Sequence, residues 1–233
     1  MITLAVAQPR CTPHDVPANV AAHAEAVRAA GARVVVFPEM SLTGYHFDAP
    51  AVPFELLEPL VVACGEAGAV AFAGAPVAGP EGPGIGVLEV SGAGVRVAYR
   101  KMWLGGGEPR WFRAGDAPAV VEVDGVRLGL AVCKDTGVPR HAADTVALGV
   151  DVYAAGVLEH AGEWDVVDAR ARRVAREHGV WVAVASFAGA TGEGYGAAAG
   201  RSAVWDPSGE VVVAAGVEVG AVVRCEVSGV GNR

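Results

Sequence analysis

The chain is short of lysine. Of 233 residues only Lys101 and Lys134 carry an ammonium, while the other sixteen cationic side chains are arginines. Other features are missing too. The four cysteines, Cys11, Cys64, Cys133 and Cys225, form no Cys-x-x-Cys, and the six histidines are scattered, so no zinc-ligand spacing is present. The longest apolar stretch, near Ala67 to Pro80, is broken by Pro76 and falls short of the ~20 residues that span a bilayer. The opening run Met1 to Gln8 lacks the basic start of a signal peptide and reads as a strand. These absences exclude a disulfide framework and a membrane span, and they predict reduced thiols in a cytoplasmic protein. A net charge of -8 argues against nucleic acid as the main partner.

What is present is a well-filled interior: 52% hydrophobic against 19% charged residues, enough for a large core. Valine-rich runs recur at Ile2–Ala7, Arg33–Phe37, Val70–Ala75, Val126–Val132, Asp151–Ala155, Val180–Ala185 and Ala221–Cys225. Several are apolar almost throughout, as strands covered on both faces are. Helical patterns fall between them: Asn19–Ala30, capped by Asn19 or starting near Pro17; Ala51–Gly65, interrupted by Pro53 and Pro59; Val138–Leu148; and Glu163–His178, closed by Gly179. Gly84 to Arg100 predicts a hairpin around Ser91-Gly-Ala-Gly94, and Asp206-Pro-Ser-Gly209 a second turn. With no linker or low-complexity break, the reading is one α/β domain over residues 1–233, its sheets covered by helices.

Two apolar strands end in reactive groups: Val34-Val-Val-Phe37-Pro38-Glu39, and Leu128-Gly-Leu-Ala-Val-Cys133-Lys134-Asp135. Carboxyl ends of strands are where α/β sheets place ligand-binding groups. Lys101 follows a third strand-like run, before Gly105-Gly-Gly107 and Glu108-Pro-Arg-Trp111-Phe112. That glycine-rich loop lacks both P-loop spacing and the dinucleotide fingerprint. A carboxylate can deprotonate a thiol and later activate water, and an ammonium can hold an oxyanion. Carboxylate, ammonium and thiol together are the parts of a covalent amide hydrolase that needs no metal and no cofactor.

The ordered set of motifs resembles the nitrilase superfamily, the carbon–nitrogen hydrolases with a Glu-Lys-Cys triad. Glu39 matches the glutamate of the Pro-Glu motif, which continues through Ser41-Leu-Thr-Gly-Tyr45. Lys101 matches the lysine of the Tyr-x-Lys segment, and Cys133 with Asp135 the Cys-x-Asp motif. Glu108, in Glu-x-x-Trp-Phe112 with Gly115, matches a second glutamate that supports the lysine. Gly200-Arg-Ser202 and Asp206-Pro-Ser-Gly209 match a late structural signature. The resemblance implies a four-layer αββα sandwich, with Cys133 as nucleophile, Glu39 as general base and Lys101 as oxyanion stabiliser. It gives the Lys134 N–H a place in the oxyanion hole and Glu108 the task of orienting Lys101. Tyr45, Trp111 and Asp135 are candidates for the substrate pocket.

The chain departs from the family pattern around that pocket. An aromatic residue commonly follows the nucleophile; here it is Lys134, whose ammonium could lower the Cys133 pKa, meet an anionic substrate or pair at the surface. Val138-Pro139-Arg140, Met102-Trp103 and Ser186-Phe187-Ala188-Gly189 replace other family residues, and little sequence follows Cys225 to serve in dimer contacts. The expected activity is hydrolysis of a small linear amide or ureido compound by a homodimer or larger homo-oligomer. Acyl transfer to an amine, nitrile hydrolysis and an inactive scaffold are the alternatives; Asp135, where nitrilases commonly have Glu, speaks for amides.

Overall fold

The computed structural model describes residues 1–229. Two six-stranded mixed sheets lie face to face. The first contains β1 (Ile2–Ala7), β2 (Val34–Val36), β3 (Val70–Val77), β4 (Gly84–Ser91) and β5 (Gly94–Arg100), with β14 (Val222–Val227) returning to pair antiparallel with β1. The second contains β6 (Val120–Val123), β7 (Val126–Val132), β8 (Val152–Val157), β9 (Trp181–Ser186), β12 (Ala203–Trp205) and β13 (Val211–Ala214). A two-stranded piece, β10 (Ala188–Gly189) with β11 (Ala198–Ala199), lies apart from them. Each large sheet has a parallel centre, β1-β2-β3 in one and β7-β8-β9 in the other, flanked by antiparallel strands.

The pleat divides each strand between two cores. Leu4, Val6, Val36 and Phe72 point between the sheets and meet Leu128, Leu130, Val152 and Val204. The alternate residues Ala5, Ala7, Val35 and Ala71 face α1 (Val16–Ala30) and α2 (Glu58–Ala67). On the far side Ala131, Tyr153, Ala155 and Trp205 face α4 (Trp164–His178), with Ala142 of α3 (Pro139–Val146) in the same cluster. The result is the expected four-layer αββα sandwich.

Local chemistry adjusts the element boundaries. Helix α1 begins a turn before Asn19, because Asp15 accepts from the Ala18 N–H at 3.0 Å and Pro17 sits in the first turn. Asn19 instead bridges Thr12 and the Leu42 carbonyl. Pro53 and Pro59 split the expected Ala51–Gly65 helix into a 3₁₀ turn, Phe54–Leu57, followed by α2 with Pro59 in its first turn. Gln8, at the end of β1, stitches the layers together. Its side chain accepts from Ser202 N at 2.6 Å and donates to the Glu218 carbonyl at 2.8 Å. Among the described residues no helix is long and apolar enough to cross a membrane.

Candidate active site

Glu39 lies just past β2, in backbone held by both sheets. An added Cβ on Gly74 of β3 would stand 2.2 Å from Pro38 O and 2.5 Å from Met40 N; one on Gly156 of β8 would stand 2.6 Å from Phe37 O and 2.9 Å from Glu39 N. Only glycine lets the two strands close on this segment from opposite sides. Met40 takes φ 49° and Cys133 φ 40°. Both are left-handed conformations that cost a side-chain-bearing residue of order 1–3 kcal/mol and aim the neighbouring groups.

Lys101, at the end of β5, is buried and donates from Nζ to Glu39 Oε1 and Glu108 Oε1, each at 2.7 Å. Tyr45 Oη also donates to Glu108 Oε1, at 2.6 Å, and Gly105 N–H donates to Oε2 at 2.7 Å. The buried ammonium therefore sits between two buried carboxylates. Burial opposes its charge, but Glu39, Cys133 and Glu108 outweigh burial and hold its pKa up. Burial raises the Glu39 carboxyl to about 7, Lys101 pulling it down and Glu108 pushing it up.

Cys133 Sγ donates to the Leu158 carbonyl at 3.4 Å, and Glu39 and Lys101 are close enough for both charges to act on the thiol. Burial first, then the Glu39 charge, lifts the thiol pKa well above its ordinary value, against the pull of Lys101. The resting form is thus a neutral thiol beside a carboxylate. A thiol in this state becomes a nucleophile only as a base takes its proton.

Asp135 is fully buried, and its carboxylate is bonded to the scaffold. Its Oδ1 accepts from Trp103 N–H at 2.9 Å; its Oδ2 accepts from Val132 N–H at 2.9 Å and Tyr99 Oη at 2.8 Å. One carboxylate therefore ties the nucleophile's strand to the segment after Lys101. Tyr99 has spent its single proton on Asp135, so His141 Nε2, 2.9 Å away, donates to it, and His141 Nδ1 accepts from Tyr153 Oη at 2.8 Å. Burial lowers the His141 pKa against the pull of Asp135, keeping the ring neutral.

Lys134 Nζ donates to the Leu104 carbonyl at 2.7 Å, anchoring the glycine-rich loop whose Gly105 holds Glu108. Its backbone N–H opens the 3₁₀ turn Cys133–Gly137, where amide donors lack an intrahelical partner. Trp111 is half exposed, whereas Phe112 is buried. Tyr45 is buried and meets Phe47 and Tyr195 edge-on, with ring centroids 5.1 and 5.6 Å apart. Tyr195 also stacks on His160 at 4.2 Å, and burial with the nearby Cys133, Glu159 and Glu39 raises its phenol to about 12. Phe47, Tyr195 and His160 went unread in the sequence because they sit in loops outside any motif. The histidines, too, are less scattered than their spacing suggests: His14, His46 and Asp48 converge, with ligand atoms all within 4.8 Å of one another.

The carbon–nitrogen hydrolase family matches residues 3–227. A Mycobacterium tuberculosis protein described only as a hydrolase is 33% identical, over 81% of this chain and 75% of its own length. A hydrolase from the 5′ region of pqqF in Pseudomonas protegens is 28% identical, over 93% of this chain and 80% of its own. Among solved structures, the amidase of Nesterenkonia sp. AN1 superposes with a TM-score of 0.86 at 24% identity, covering 98% of this chain and 93% of that one. Nit3 of Saccharomyces cerevisiae, from branch 10 of the nitrilase superfamily, gives 0.85 at 20%, covering 97% and 89%. With the family matched from β1 to the end of β14, the chain belongs to the carbon–nitrogen hydrolases of the nitrilase superfamily.

Proposed function

We propose that this protein is an amidase-type hydrolase that cleaves a small linear amide or ureido compound through a thioester on Cys133. The observation that carries this reading is the buried Lys101 ammonium bonded to Glu39 at 2.7 Å, with both charges acting on the Cys133 thiol. An ammonium has three protons. Two are committed to Glu39 and Glu108, which leaves one for an oxyanion.

In this mechanism Glu39 takes the thiol proton as Sγ attacks the carbonyl carbon. The oxygen, now anionic, is held by Lys101 Nζ and the Lys134 N–H. Glu39 passes the proton to the leaving nitrogen, the C–N bond breaks and ammonia or an amine departs. Glu39 then deprotonates a water that attacks the thioester; the acid leaves and the thiol regains its proton. Glu108 and Tyr45 position Lys101 throughout, and the aromatic rings near Tyr45 suit a small, largely apolar acyl group. Variants of the Nesterenkonia amidase hold butyramide, or carry the acetamide moiety of fluoroacetamide on the active-site cysteine, which supports a short acyl chain here.

The test is a panel of short amides and ureido compounds with intact-mass detection. An acyl adduct on Cys133 and release of the free acid are expected, and Cys133→Ala should abolish both. Full turnover by Cys133→Ala would sink the thioester route, and an acylated amine as sole product would make the protein a transferase.

A further inference from the structure

We propose that His14, His46 and Asp48 form a three-ligand site for a divalent transition metal such as zinc, beside the catalytic cluster but separate from it. His14 lies between β1 and α1, while His46 and Asp48 follow β2, so the site joins two loops. The two loops are already tied by His14 N–H donating to Thr43 O at 2.9 Å, and the second is closed on itself by Ala49 N–H donating to His46 O at 3.1 Å. His14 sits at φ 58°, a conformation histidine tolerates better than most residues, and this turns its ring toward His46, with centroids 4.4 Å apart.

The spacing fits a bridging ion better than direct pairing. His14 Nε2 and Asp48 Oδ1 are 3.7 Å apart, too far for a hydrogen bond. The edge of a tetrahedron with metal–ligand bonds of ~2.0–2.2 Å is ~3.4 Å, so small side-chain movements would place both on one ion. His46 Nε2 is buried and without a hydrogen-bond partner among the described residues, an arrangement that costs free energy unless something binds it. The ring is confined: Gly192 passes so close that a Cβ there would stand 2.6 Å from His46 Nδ1, and one on Gly44 3.0 Å from Cδ2. His14 and Asp48 are open to solvent, which gives an ion its entry path and leaves a fourth position for water. Two imidazoles and one carboxylate suit zinc, nickel or copper rather than calcium or magnesium. Because His46 follows Tyr45, a bound ion would brace the segment that presents the Tyr45 hydroxyl to Glu108.

Cobalt titration of the full chain, read by visible absorption, tests this. One equivalent per chain should bind with tetrahedral ligand-field bands and no sulfur-to-metal charge transfer. Cys133→Ala should leave that signal intact. His46→Asn should remove it, and Asp48→Asn, at an exposed position that the fold does not depend on, should weaken binding by about tenfold or more. Zinc should displace the cobalt and raise the melting temperature of the parent. A thiolate charge-transfer band, loss of binding in Cys133→Ala, affinity unchanged in Asp48→Asn, or no binding by the parent would each overturn the proposal.

Discussion

Two buried carboxylate centres flank Cys133, and they solve the problem of burial differently. Glu39 and Glu108 share an ammonium, each bonded to Lys101 at 2.7 Å. Asp135 has neutral donors instead, two backbone amides and a phenol, with a neutral histidine behind the phenol. The first centre carries movable protons and a cation with a spare donor. The second has every oxygen committed to the scaffold. The difference separates a centre that can react from one that can only hold.

The sharpest way to break this contrast is Lys101→Met. It leaves two buried carboxylates facing each other without a cation. Stability should fall by ~3–5 kcal/mol in chemical denaturation, and kcat/KM on a turned-over amide by roughly 100- to 10,000-fold. Asp135→Asn is next. It sets an amide N–H against a backbone or phenol donor, so ~1–3 kcal/mol of stability should be lost. The rate of adduct formation on Cys133 should drop while the pH dependence keeps its midpoint, because the proton-carrying groups are untouched.

The pH dependence sharpens the contrast further. Glu39 is raised from 4.5 to about 7, and in the proposed mechanism it serves as the base only when ionised. Activity should therefore rise with pH through about 7, changing about tenfold per unit on the acid side. Stability moves the other way. A carboxyl raised by burial contributes stability that is full below 4.5 and is lost as pH climbs through about 7. Opposed pH slopes for activity and denaturation midpoint, both absent in Glu39→Gln, are the expected signature. The smallest effect belongs to Lys134→Met, which frees the Leu104 carbonyl: about 1 kcal/mol of stability and a few-fold loss in kcat are expected, with KM for neutral and anionic amides changing alike. A rise in KM confined to anionic substrates would instead make Lys134 a substrate contact.

Much of this was legible in the sequence because each triad segment is an apolar run that ends in a polar group. The long strands followed from their nearly continuous apolar runs, and α4 from its helical pattern. The parts that escaped have physical causes. Strands β10 and β11 are two residues each, too short to show a period. Strand β3 runs through Pro76 to Val77, past the proline expected to end it. In the sequence Asp135 reads as part of the Cys-x-Asp motif and a pocket candidate. Its role emerges only once Trp103 and Tyr99, remote in sequence, are brought to it. The Tyr45, Phe47 and Tyr195 rings come from loops whose meeting is purely tertiary.

The two glycines that clasp the Glu39 backbone have a consequence for how this protein fails. Gly74 belongs to one sheet and Gly156 to the other, so the Glu39 backbone is held by neither half alone. An excursion that parts the layers therefore removes one wall of the seat that holds Glu39. On the proposed mechanism, loss of activity on heating should track the global transition rather than a local melting before it.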